Sequence, residues 1–238
     1  MMDLKDIRAI IFDFDGTLYD FSGLPKNLIL NKPFDLFKIK ADRDVRRELK
    51  GIDFGSVEEY NLEYFKRLSK HSGKSIKKIT NWYYNTYLPH FRFVLKKCYK
   101  PFDNAQNLLS LLEQKGIKVA IYSDHSDLKG RAEALGLINI PNDFLFSAEE
   151  FGALKPAKRP FIEIAKKLNT DFGNILVVGD RLDTDGEGAF ACGMNFIRIA
   201  SKRSRKESIE EKQKNDKVFT TFEWNDFYNF LCDFYQKN

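Results

Sequence analysis

Cysteine is scarce in this chain and poorly placed for its usual structural uses, since Cys98, Cys192 and Cys232 are odd in number and scattered. They fit neither a disulfide framework nor a close-spaced zinc site, and three buried thiols are the expectation. Long apolar runs are missing as well. No stretch approaches the ~18 residues of a membrane span, and Met1-Met2-Asp3-Leu4-Lys5-Asp6 lacks the basic-then-apolar order of a signal peptide. A cytoplasmic protein with no membrane partner is therefore expected. Neither sign of charge dominates: a net +5 arises from 39 basic and 34 acidic residues spread along the chain. A small anionic substrate explains that excess as well as a nucleic acid does. There is no internal repeat.

With 238 residues, the chain can bury one good core and a smaller second one. After residue 100, helices and buried strands alternate, which is the pattern of an α/β fold with a Rossmann-like, doubly wound parallel sheet. Strands are expected at Ile7–Phe14, Ile117–Tyr122, Phe144–Phe146, Ile175–Gly179 and Phe196–Ile199. Helices are expected from Pro101 to Gly116, over Asp127–Leu135 and over Pro160–Leu168. Ser201 to Lys217 reads as a solvated loop or ragged helix, followed by a short strand at Val218–Thr220 and a closing helix between Phe222 and Tyr235.

The first two strands are separated by about a hundred residues, whereas a crossover with its helix needs only a dozen or somewhat more. A folded insertion is expected there, which divides the chain into core (1–17), helical cap (18–99) and the rest of the core (100–238). Ser56-Val57-Glu58-Glu59 is a capping-box pattern opening a helix with Tyr60, Tyr64, Phe65 and Leu68 on its apolar side. From Ile76, the positions Ile79, Tyr83 and Tyr87 repeat at helical spacing until Pro89. Trp82, Tyr83, Tyr84, Tyr87, His90, Phe91 and Arg92 either pack or line a pocket, and Arg43, Arg46 and Arg47 are open to the same two readings.

Four motifs fall at the carboxyl ends of the expected strands, where open α/β sheets bind ligands. Asp13-Phe14-Asp15-Gly16-Thr17 follows Ile10-Ile11-Phe12, so two carboxylates one residue apart point to one side, and Gly16 lets the chain turn away. Ser123-Asp124 follows the second strand, Lys155-Pro156 the third, and Gly179-Asp180 with Asp183 and Asp185 the fourth. Asp13, Asp15, Asp180 and Asp185 together would crowd negative charges into one cleft. Each pair about 4 Å apart costs on the order of 4 kcal/mol at a partly screened dielectric. Such a cluster calls for a hard cation, and Mg²⁺ held by a few carboxylates, water and substrate phosphate suits it.

In their order and residue types, these four motifs resemble those of the haloacid dehalogenase (HAD) superfamily of aspartate-nucleophile phosphohydrolases. The resemblance covers residues 7–17 and about 100–200, and it implies that residues 18–99 are the cap such proteins insert after the first motif. It implies Asp13 as nucleophile and metal ligand, and Asp15 as the acid that protonates the leaving oxygen and then activates water. A free aspartate titrates near 3.9, so that role requires a pKa raised by about 2 to 3, which neighbouring negative charges would supply. Ser123, the backbone N–H of Asp124 and Lys155 would hold the phosphoryl group. Asp180 and the backbone carbonyl of Asp15 would complete the protein's metal ligands, with Gly16, Thr17 and Asp185 in support. Either Asp183 or Asp185 can serve as the second acid of the fourth motif, and Thr184 can cap the next helix. Gly186-Glu187-Gly188 predicts that this helix starts late. His125 either reaches the cleft or sits at a helix start.

The leading expectation is a Mg²⁺-dependent phosphatase of small phosphorylated metabolites. A phosphosugar mutase and a non-catalytic nucleic-acid-binding protein are the alternatives. Halide removal is disfavoured, because Asp15 is an acid suited to a phosphate leaving group.

Overall fold

The computed structural model describes residues 4–137, 144–200 and 219–237. Six parallel strands form one sheet in the order β3-β2-β1-β4-β5-β6. They are β1 (Ala9–Asp13), β2 (Lys118–Ser123), β3 (Leu145–Ser147), β4 (Ile175–Gly179), β5 (Asn195–Ile199) and β6 (Thr220–Phe222). Every residue of β1 and β4 is buried, as strands covered by helices on both faces must be. Strand β1 lies between β2 and β4, with Ile10 opposite both Val119 and Leu176. Strand order therefore reverses at β1 and β4, and the crevice at their carboxyl ends is where Asp13, Ser123 and Asp180 emerge.

The expected strands all form, β4 with the expected bounds and the others with one or both ends displaced by one or two residues, and β6 runs on to Phe222, two residues past Thr220. The segment expected to be a solvated loop or ragged helix, 201–217, lies outside the described residues.

Between β1 and β2 the chain is helical: α1 (Leu24–Asn31), α2 (Leu36–Glu48), α3 (Val57–Ser72), α4 (Ile76–Trp82) and α5 (Leu88–Cys98). Ser56 caps α3 by accepting a hydrogen bond from the Glu59 N–H, and Tyr60, Tyr64, Phe65 and Leu68 are its buried stripe. Pro89 does not end the helical run, as the spacing had suggested. A π turn over Tyr83–Tyr87 links α4 to α5, and Pro89 falls in the first turn of α5, where its missing N–H has least to satisfy. Helices α1 and α2 are additions to the expected pattern.

The two chain segments joining this insertion to the sheet run side by side, with the Phe102 N–H donating to the Leu18 carbonyl at 2.9 Å. A second attachment lies elsewhere. The α2–α3 loop pairs antiparallel with residues 152–155, through Gly51 N–H to Lys155 O (3.1 Å) and Phe54 N–H to Gly152 O (3.0 Å).

The remaining helices flank the sheet: α6 (Ala105–Gln114), α7 (Leu128–Leu135), α8 (Ala148–Phe151), α9 (Lys158–Lys167), α10 (Glu187–Ala191) and α11 (Trp224–Lys237). The helix expected to start late after Asp185 instead begins before it, as a π turn over Leu182–Gly186 that runs straight into the short α10. Packing accounts for its glycine, because a Cβ on Gly188 would sit 2.2 Å from Phe161 on α9. Of the cysteines, Cys232 is buried, but Cys192 is only partly so and Cys98 is exposed, which corrects the expectation of three buried thiols. Cys98 is the last residue of α5, on the exposed side of that helix end.

Candidate active site

The end of β1 delivers Asp13 into a buried knot of opposite charges. Lys155 Nζ donates to Asp13 Oδ1 at 2.7 Å, to Asp185 Oδ1 at 2.8 Å and to the Tyr122 carbonyl at 2.9 Å. Thr17 Oγ1 donates to Asp13 Oδ2 at 3.0 Å. Gly16 makes the turn at φ +100°, and a Cβ there would meet Asp180 Oδ2 at 2.7 Å, so glycine is required on both counts. Asp185, with its carboxylate on Lys155, is the acid of the fourth motif that faces the site. Asp183 turns to Lys50 and Arg181 instead.

Carboxylate oxygens of Asp13, Asp180 and Asp185 all lie within 4.8 Å of one another. Burial, offset in part by Lys155, pushes the Asp13 carboxyl up to about 7, with the charges of Asp185 and Asp15 adding to the effect. Burial and the charges of Asp13 and Asp185 raise Asp180 well above the usual carboxylate range. Lys155 supplies one positive charge among these carboxylates, so negative charge is left over. Three oxygen donors with uncompensated charge match the needs of a hard divalent cation.

Asp15 is in a different state from the one its sequence context suggested. Burial is the largest single influence and works to raise its pKa, but the Arg131 guanidinium together with His125 and the hydrogen bonds from Tyr19 and Ser123 more than offsets it and holds the carboxyl well below the usual range. Negative neighbours do not control Asp15, because a cation lies closer. Tyr19 OH donates to Asp15 Oδ1 at 2.6 Å and Ser123 Oγ donates to Asp15 Oδ2 at 2.7 Å. The Ser123 proton expected on a phosphoryl oxygen is thus committed to Asp15 in this arrangement. Arg131 had no signal in the sequence beyond its place in an ordinary helical stretch.

One cavity of about 680 Å³ joins these groups to the insertion, within the range of small-molecule sites. Asp13, Asp15, Asp124, Lys155 and Asp180 line its floor, while Leu28, Ile39, Arg43, Arg46, Arg47, Tyr87 and Phe91 form its other wall. Of the aromatic stripe, Tyr87 and Phe91 reach the cavity, whereas Tyr83 is buried against Tyr64, Phe65 and Arg46. Arg46 ties the insertion to the second motif, donating to the Asp124 carbonyl at 2.7 Å and to Asp42 at 3.0 Å. His125 also lines the cavity, between Phe21 and Phe91. Burial and the nearby Arg46 push its pKa down to about 4, so its ring is neutral near pH 7. Among the described residues, no helix is long and apolar enough to cross a membrane.

Residues 7–193 match the family model of the haloacid dehalogenase-like hydrolases. The chain is 27% identical over 225 residues to the glyceraldehyde 3-phosphate phosphatase of Methanopyrus kandleri, covering 88% of this chain and 90% of that one. It is 28% identical over 210 residues to the ribulose-1,5-bisphosphate 5-phosphatase of Halopiger xanaduensis, covering 79% and 83%. The fold is shared with the magnesium-bound HAD-hydrolase YfnB of Bacillus subtilis, at a TM-score of 0.59, 17% identity and coverage of 94% and 98%.

Proposed function

This chain belongs to the haloacid dehalogenase-like hydrolases, and on that premise we propose that it is a Mg²⁺-dependent phosphatase hydrolysing a small phosphorylated metabolite through an aspartyl-phosphate. One observation carries the reading: Asp13 is fixed at a strand end by Lys155 and Thr17, at the edge of a buried cluster of three carboxylates, facing a cavity of metabolite size. The names of the two phosphatase relatives support the substrate class.

Asp13 and Asp180, with the backbone carbonyl of Asp15, are the oxygens that would hold the ion, and Asp185 steadies Lys155 beside them. A bound Mg²⁺ would neutralise and orient the phosphate. Lys155 adds its charge to the transferring group and the Asp124 backbone borders the same corner, while Ser123, fully buried and bound to Asp15, does not line the cavity.

Asp13 attacks phosphorus in line. As its oxygen–phosphorus bond forms, the ester oxygen–phosphorus bond breaks, and a proton passes from Asp15 to the departing oxygen. Arg131 holds Asp15 ionised in the free protein, so the proton it delivers arrives with the substrate, as the acidic hydrogen of a phosphomonoester monoanion, and passes to Asp15 before the ester bond breaks. Water then attacks the aspartyl-phosphate, its proton goes to Asp15, and the Asp13–phosphorus bond breaks to release orthophosphate. Residues 18–99 act as the cap, excluding bulk water and choosing the substrate.

The test is phosphate release from a panel of phosphomonoesters with and without Mg²⁺, repeated on Asp13→Asn. Release that needs the ion and disappears in Asp13→Asn is expected. Release that survives the substitution would overturn the assignment.

A further inference from the structure

Arg131 is fully buried on α7 and does not line the cavity, yet each nitrogen of its guanidinium has a partner. Nη1 donates to both oxygens of Asp15 at 2.8 Å. Nη2 donates to Ser123 Oγ and to the His125 carbonyl, both at 2.7 Å, and Nε donates to the Ser126 carbonyl at 3.0 Å. The flat faces of the guanidinium are covered by Phe14 and Phe91, whose ring centres lie 5.0 and 5.2 Å away. Phe14 belongs to the first motif and Phe91 to the insertion.

A buried guanidinium is costly unless its charge and hydrogen bonds are met, and here the charge is met by Asp15. Its rigid planar fork fixes the direction of the groups it holds, which an ammonium could not do for so many partners at once. Sealed from the cavity, Arg131 cannot touch a substrate. It can act only through what it holds.

We propose that Arg131 is a positioning residue that locks Asp15 and Ser123 into one unit, so that it governs proton delivery to the leaving group rather than phosphate binding. This rests on the phosphatase reading above. An alkyl ester needs that proton because its leaving group is a strong base. A nitrophenyl ester barely needs it.

The test compares kcat/KM, which covers the steps through leaving-group departure, for glycerol 3-phosphate and p-nitrophenyl phosphate at saturating Mg²⁺. General acid catalysis contributes about 10²–10⁴-fold, so Arg131→Lys should lower kcat/KM for the alkyl ester by about 100-fold or more. The aryl ester should lose less than about tenfold. In an Asp15→Asn background, Arg131→Lys should change neither value further, because the residue through which it acts is already disabled. Arg131→Met, checked for a native circular dichroism spectrum, should repeat this order, and Arg131→Lys carries the test alone if that variant does not fold. Equal losses on both esters, or an additive loss in the Asp15→Asn background, overturn the proposal and leave the phosphatase reading standing. Wild-type protein that releases phosphate from neither these esters nor any member of the panel above overturns both.

Discussion

A cation held between buried carboxylates cannot be removed without leaving their charges exposed to one another. Lys155 donates to Asp13 and Asp185 from a site 3% exposed, so Lys155→Met should destabilise the fold by about 3–5 kcal/mol, measured by urea unfolding. Asp180 behaves oppositely. It has charged neighbours of its own sign and a raised pKa, so Asp180→Asn should raise the melting temperature of chelator-treated protein while weakening Mg²⁺ binding in calorimetric titration. Asp13, Asp15, Ser123 and Asp180 were legible as strand-end residues, because spacing in an α/β sheet carries through to position. Lys155 and Asp185 were legible only from the order of the motifs, since α8 separates Lys155 from β3 and Asp185 lies within the π turn after β4. Arg131 was not. Leu-Lys-Gly-Arg-Ala-Glu reads as an ordinary helix surface, and its burial depends on Phe91, forty residues earlier in the chain. Nor could spacing choose between Asp183 and Asp185, because the π turn that aims Asp185 inward is a tertiary outcome.

Helices and strands were legible where a cap, a glycine or an apolar run marks them, as with Ser56 and Gly73 around α3 or the buried run of β1. Helices α1 and α2 had weaker marks. Lys32-Pro33 interrupts them, and α2 carries Lys40, Arg43, Arg46, Arg47 and Lys50 along or just beyond it, so its polar character hid its periodicity. The π turn joining α4 to α5 was hidden because Pro89 reads as a stop in a regular helix. Close approach between elements is just as invisible. Gly188 looked like a poor helix former, but it is where Phe161 of α9 comes against α10. Gly188→Ala should therefore destabilise by about 1–3 kcal/mol despite the better propensity of alanine, again by urea unfolding.

The whole molecule should report its charge cluster through pH. Asp13 has an ordinary value of 3.8 and is pushed up to about 7 in the fold, chiefly by burial. Between those values the folded state keeps a proton that the unfolded chain has lost. Stability of the metal-free protein should therefore fall as pH rises from about 4 through 7. Binding an ion displaces that proton, so the rise in melting temperature on adding Mg²⁺ should be larger at pH 8 than at pH 5.5, by differential scanning calorimetry. The pairing of the α2–α3 loop with residues 152–155 has a mechanical side. An insertion joined only by the neighbouring segments at Leu18 and Phe102 would swing like a door, but the second attachment grips the backbone of Lys155 itself. A rotation of the insertion would pull on the residue whose ammonium holds Asp13, so on the phosphatase reading proposed above a slackened cap and a loosened grip on orthophosphate would be one movement.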